Sequence, residues 1–74
     1  MKKQTIKISP LYSKQLAFWE SLFDTEPKAY LNSGDKVQLV TDQIYYGGDH
    51  GDKEYYKVNH NTFGVGYMLK EGFE

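Results

Sequence analysis

Apolar and polar side chains alternate along this chain with a period that changes twice. Residues 4–8 place Ile6 and Ile8 on one side of an alternating run that ends at Ser9-Pro10, the pattern of a first strand. Over residues 13–23 the spacing lengthens. Tyr12, Leu16, Trp19 and Phe23 fall at i, i+4, i+7 and i+11, Phe18 and Leu22 widen the stripe, Ser13 is placed to cap it, and Pro27 closes the segment. This spacing predicts a short amphipathic helix whose apolar arc, about 160° wide, exceeds what packing on one small sheet requires. Phe18, Trp19 and Leu22 are therefore expected to offer an apolar face to a second copy or another partner, against the plainer reading that Leu16, Trp19 and Phe23 are core.

Past a polar connection over residues 24–28, Ala29-Tyr30-Leu31 leads into Asn32-Ser33-Gly34-Asp35, a turn signal because Gly and Asn tolerate positive φ. Residues 36–41 alternate again, with Val37 and Leu39 on one face and Val40 at the strand's end. Ile44-Tyr45-Tyr46 is a short β-prone run broken by residues 47–52, which hold Gly47, Gly48 and Gly51. Residues 54–59 resume as a strand, with Tyr56 and Val58 on one side and Tyr55 and Lys57 on the other. His60-Asn61 reads as a tight turn, and residues 63–69 as a last strand whose Gly64 and Gly66 mark a bend or a close approach of strands. Four or five short strands with frequent turns predict a mainly β (α+β) fold, a small antiparallel barrel with one short helix near the N-terminus.

Seventy-four residues fit one domain, residues 1–74, with a core able to supply only a few kcal/mol of net stability. With 39% hydrophobic and 16% aromatic residues the chain is too apolar to be disordered. No cysteine is present to staple the core by disulfide or thiolate-bound metal, so self-association or partner binding is the remaining route, and a homodimer is expected. Neither a leader-like apolar segment nor a stretch near the roughly 20 apolar residues of a membrane span occurs, which implies a cytoplasmic protein without membrane contact. All nine basic residues are Lys and the net charge is −1. Without the bidentate fork of Arg, direct nucleic-acid recognition is disfavoured.

The chemistry-bearing residue types are sparse. His50 and His60 with Asp49, Asp52 and Glu54 match no metal-ligand spacing, and His60 between Asn59 and Asn61 reads as a turn residue, so neither metal nor cofactor is expected. No Gly-Lys-Ser/Thr follows the glycines to form a phosphate cradle, and nothing groups a nucleophile with a base, so an enzyme is not expected. The informative stretch is residues 42–54. There Asp42, Asp49, Asp52 and Glu54 face the single Lys53, a local charge of −3, with Tyr45 and Tyr46 between them. Acids interleaved with tyrosines on a glycine-rich loop can meet a basic partner, although the same acids would also serve a merely solvated loop.

Residues 29–73 resemble the bacterial SH3-like domains. The resemblance is carried by Leu31-Asn32-Ser33-Gly34-Asp35-Lys36-Val37-Gln38-Leu39-Val40, by Tyr55-Tyr56-Lys57-Val58, and by Phe63-Gly64-Val65-Gly66-Tyr67-Met68-Leu69, with Gly66-Tyr67 where that family often has Gly-Trp. It implies a small barrel with the 13–23 segment inserted in its long first loop, but fold alone selects no ligand. In length and Lys/Tyr/Asn-rich character the chain also looks like the inhibitors with which staphylococcal phages block the host DNA polymerase III sliding clamp (beta subunit). That resemblance implies a host-takeover protein that occupies the clamp's basic DNA channel and stops replication. A cell-wall-binding or general protein-interaction module is the alternative.

Overall fold

The computed structural model describes residues 4–11, 15–47 and 51–73. Its strands are β1 (Gln4–Lys7), β2 (Leu16–Phe18), β3 (Ala29–Leu31), β4 (Lys36–Gly47), β5 (Lys53–His60) and β6 (Gly64–Leu69), followed by a 3-10 turn at Lys70–Gly72. They form a four-stranded antiparallel sheet in the order β1-β4-β5-β6 and a two-stranded sheet of β2 and β3. The chain then returns to its start, with Phe73 bridging Ile8 and Ser9 N–H donating to the Gly72 carbonyl. The expected strands at residues 4–8, 54–59 and 63–69 appear within a residue or two, and the one expected at 36–41 is the first part of the longer β4.

The expected helix over residues 13–23 does not form. Residues 12–14 lie outside the described residues, and Leu16, Ala17 and Phe18 are a strand paired with Leu31, Tyr30 and Ala29. The physical reason is that a helix of this length is marginal in isolation, so tertiary partners decide. Leu16 and Phe18 also alternate, and alternation buries both on one side of β2 while Ala17 points away. Farther on, Ser21 and Asp24 capture the backbone: Ser21 N–H donates to Asp24 Oδ2 (3.1 Å), Phe23 N–H to Ser21 Oγ (3.2 Å) and Asp24 N–H to the Ser21 carbonyl (3.1 Å). These local bonds offer the chain a turn in place of a helix.

The core lies between the sheets and consists of Ile8, Leu16, Phe18, Leu31, Val37, Leu39, Val58 and Met68. Phe18 is 0% exposed. Its placement in the apolar partner face is therefore corrected: it is an interior residue. Its ring occupies the space where Gly66 has no side chain, since a Cβ there would come within 2.6 Å of both Phe18 Cε1 and the Trp19 carbonyl oxygen. The close approach anticipated at Gly66 is thus the seat of β2 on β6. Trp19 completes it by exchanging two backbone hydrogen bonds with Tyr67 (2.9 and 2.6 Å).

The β5–β6 turn is organised by His60. Its Nδ1 accepts from Thr62 N–H (3.0 Å) and Phe63 N–H (3.3 Å), and its ring stacks on Phe63 with centroids 4.7 Å apart. Accepting both bonds requires a neutral imidazole with its proton on Nε2. The radius of gyration, 11.3 Å, equals the roughly 11 Å expected of a compact chain of this length.

Gly66→Ala forces an overlap with backbone, and is expected to cost about 1–3 kcal/mol and lower Tm by roughly 10 °C in a thermal melt. His60→Ala removes the acceptor of two turn bonds at a cost of about 1 kcal/mol, whereas His60→Asn, which keeps an acceptor near the same place, should recover most of it in the same assay.

Candidate functional site

The two strands expected at residues 36–41 and 44–46 are one strand, β4, interrupted where its pairing to β5 shifts between Leu39 and Ile44. Leu39 pairs with Val58 and Ile44 with Tyr56, so the four residues 40–43 stand opposite the single Lys57. Such a bulge bends the strand and lets residues five apart share one face. It also isolates Asp42, which is exposed on the bulge, four residues before Tyr46 and about 13 Å from it at strand rise.

Neighbouring residues on a strand point to opposite faces, and directly paired residues share one. Tyr46 pairs with Glu54, and Tyr45 with Tyr55. The two tyrosines grouped by the sequence reading are therefore separated onto the two sides of the hairpin. On the side of Tyr46, an open cleft of about 520 Å³ is lined by Tyr46, Gly51, Asp52, Lys53, Glu54, Lys70 and Glu71. Lys70 Nζ stands 3.6 Å from Glu54 Oε1. Its three acids and two lysines sum to −1, against the −3 read from the loop alone, because Asp42 and Asp49 are not among its lining residues, while the added Lys70 and Glu71, brought by the 3-10 turn, cancel each other. Neither was visible from the sequence, since no local pattern ties residues 70–71 to residues 52–54. Asp49 lies outside the described residues.

On the opposite side, Tyr45, Tyr55 and Tyr67 form an aromatic layer. The rings of Tyr45 and Tyr67 meet edge to face with centroids 5.3 Å apart. Tyr55 is 6% exposed and lies against Gly47, where a Cβ would fall 2.9 Å from its ring and 3.3 Å from Leu22 Cδ2. Burial pushes the Tyr55 phenol up from its ordinary pKa of 10.0, and the nearby negative charge of Glu71 adds to the shift. Residues 19–23 run beside this layer, and between them and the hairpin lies a second cleft of about 560 Å³ lined by Leu22, Phe23, Tyr45, Tyr46, Gly47 and Tyr67 among others. Of the proposed apolar face, Leu22 is half-buried in this cleft and Trp19 half-buried beside it in the chain, so both retain part of their surface. Phe23, which belonged to the apolar stripe but not to that face, is 95% exposed.

The described residues contain no cluster of three or more His, Cys, Asp or Glu able to hold a metal, and no helix long and apolar enough to cross a membrane. Compared with protein-family models, curated proteins and solved structures, the chain matches none.

Because the folded state holds Tyr55 neutral more strongly than the unfolded chain does, the stability it contributes is intact below pH 10.0 and is lost as pH rises through the raised folded value. Tyrosinate absorbance during alkaline titration should therefore show one late-ionising tyrosine. Tyr55→Phe should remove that step, and Glu71→Gln should move it to lower pH.

Proposed function

We propose that this chain is a non-enzymatic interaction domain of SH3-like architecture that docks on a basic protein surface, and that its target is the bacterial sliding clamp, whose DNA channel it would occupy. The architecture is supported by the path of the chain. A long first loop carries the β2–β3 hairpin, a meander β4-β5-β6 follows, and after a 3-10 turn the chain end closes on Ile8. The observation that carries the docking reading is the convergence of Tyr46, Asp52 and Glu54, three of the residues singled out by sequence, with Glu71 around one open cleft.

A protein that displaces DNA from a basic channel must set carboxylates where phosphates would lie. With a cleft charge of only −1, attraction is local and is supplemented by tyrosine contact area, the side-chain type favoured at interface cores. Affinity then falls as salt rises, but less steeply than for a uniformly acidic mimic of DNA. Lys70 draws Glu54 partly out of play, and in the complex a lysine or arginine of the partner would compete for the same carboxylate. Asp42, on its bulge, contributes at most at the periphery.

Replacing Asp52, Glu54 and Glu71 by Asn, Gln and Gln is expected to weaken binding to purified clamp about tenfold and to flatten its salt dependence, while Asp42→Asn alone changes it less than about twofold. Calorimetry across a salt series measures both. Equal affinity of the triple variant at every salt concentration would refute the acidic-cleft mechanism. Absence of clamp binding by the parent, with binding to isolated cell walls, would move the reading to the cell-wall module.

A further inference from the structure

β4 is twelve residues long, and β1 pairs with its first four, Lys36 to Leu39. We infer that the outer edge of β4 at residues 44–46 receives an extended segment of a protein partner, which pairs with it as an added strand. This rests on the reading of the chain as a protein-docking domain, though not on the clamp as its target.

Past the bulge, Ile44, Tyr45, Tyr46 and Gly47 pair with β5 on one side. On the other side no described strand lies beside them, and among the described residues no backbone bond outside the ladders involves them. In an antiparallel ladder every second residue turns both its N–H and its C=O away from the neighbouring strand. Half of this stretch therefore presents a donor and an acceptor outward at the spacing of a strand, and what satisfies such a row is another extended backbone. Gly47 is buried beside Leu22, at the head of the aromatic trough along residues 19–23, so the usable edge runs from Ile44 to Tyr46.

The residue types mark this edge out from those of β1 and β3. Exposed edges are ordinarily blunted by lysine, by proline or by shortness. β1 carries Lys7 and runs into Ser9-Pro10, and β3 has three residues and follows Lys28, whereas residues 43–47, Gln-Ile-Tyr-Tyr-Gly, hold neither charge nor proline. Ile44 and Tyr46 stand on one face, Ile44 half-buried and Tyr46 62% exposed, so a strand beside them gains most from aromatic or β-branched side chains at alternate positions. Tyr46 also lines the cleft of Asp52, Glu54 and Glu71, which sets the added strand next to the surface already assigned to docking. A second copy is the poorer occupant, since antiparallel pairing of two β4 edges would set two clefts of the same charge sign on one face of the joined sheet.

The test uses the whole chain, isotopically labelled, titrated with the synthetic peptide Lys-Thr-Val-Thr-Val-Thr-Lys and with the same peptide N-methylated at its three central residues. Methylation keeps the charge and the side chains but removes backbone donors from both edges of the peptide. The unmodified peptide is expected to shift the amides of residues 44–46 saturably and to slow their exchange, with a Kd on the order of 1 mM, and the methylated one to bind at least tenfold more weakly. Tyr46→Ser, at an exposed position, is expected to weaken the unmodified peptide about threefold, the loss of one cross-strand contact. Equal binding of the methylated peptide, shifts confined to residues 52–54 or 29–31, or unchanged affinity of Tyr46→Ser would each overturn the inference. So would a dimer, seen by light scattering, in which the amides of residues 44–46 are protected without peptide. Peptide binding without clamp binding would leave the edge standing and remove the clamp. Clamp binding sensitive to Asp52 and Glu54, without peptide binding at residues 44–46, would overturn the edge and leave the clamp.

Discussion

Phe18 lies over Gly66, in space that any side chain on that residue would need, and this contact joins the two sheets. Gly72 makes room for Leu16 in the same way at the other end of β2. A three-residue strand has too few backbone bonds to hold itself, so β2 is stable only because its two inward side chains fill these gaps and because Trp19 bonds to Tyr67 on the edge of the larger sheet. For a chain of this size, with no disulfide, removing that seat would expose the central aromatic and separate the β2–β3 sheet from the four-stranded one.

The same seat determines the surface. Once Trp19 is fixed against β6, residues 20–23 must pass over the end of the β4–β5 hairpin, and the Ser21–Asp24 turn sets how far Phe23 stands off. Lys28 ties the far end of this loop down, donating to Glu20 and to the Phe63 carbonyl (3.4 Å) beside the turn that His60 organises. The aromatic trough is therefore a product of core packing. The acidic cleft depends instead on the 3-10 turn, which places Lys70 and Glu71 alongside Glu54 and closes one wall of that site without changing its net charge.

The strands were legible because most of them carry their own alternation. Val37 with Leu39 and Gly66 with Met68 mark an inward side without help from distant residues, whereas β5 buries Val58 on one side and Tyr55 on the other. The 13–23 segment was misleading because Leu16, Trp19 and Phe23 satisfy a helical spacing while Leu16 and Phe18 satisfy a strand's, and a short segment takes whichever form its neighbours reward. Of the candidate site, Tyr46, Asp52 and Glu54 were found from their local density of acids and tyrosines. Tyr45 was assigned to their side because the stretch was read as a glycine-rich loop, whereas Tyr45 and Tyr46 are adjacent on β4 and so point to opposite faces.

What the amino-acid sequence determined by itself is what short-range physics controls: the mainly β character, the turns at residues 32–35 and near His60-Asn61, the glycine at a close approach of strands, and a chemistry limited to lysines, carboxylates and tyrosines. Tertiary structure alone decided that residues 16–18 form a strand, that Phe18 is interior while Phe23 is exposed, and that Lys70 and Glu71 join Glu54. Each of these depends on contacts between residues far apart in the chain. Their energies come from filling or failing to fill a particular space, and no local pattern of residue types records that space.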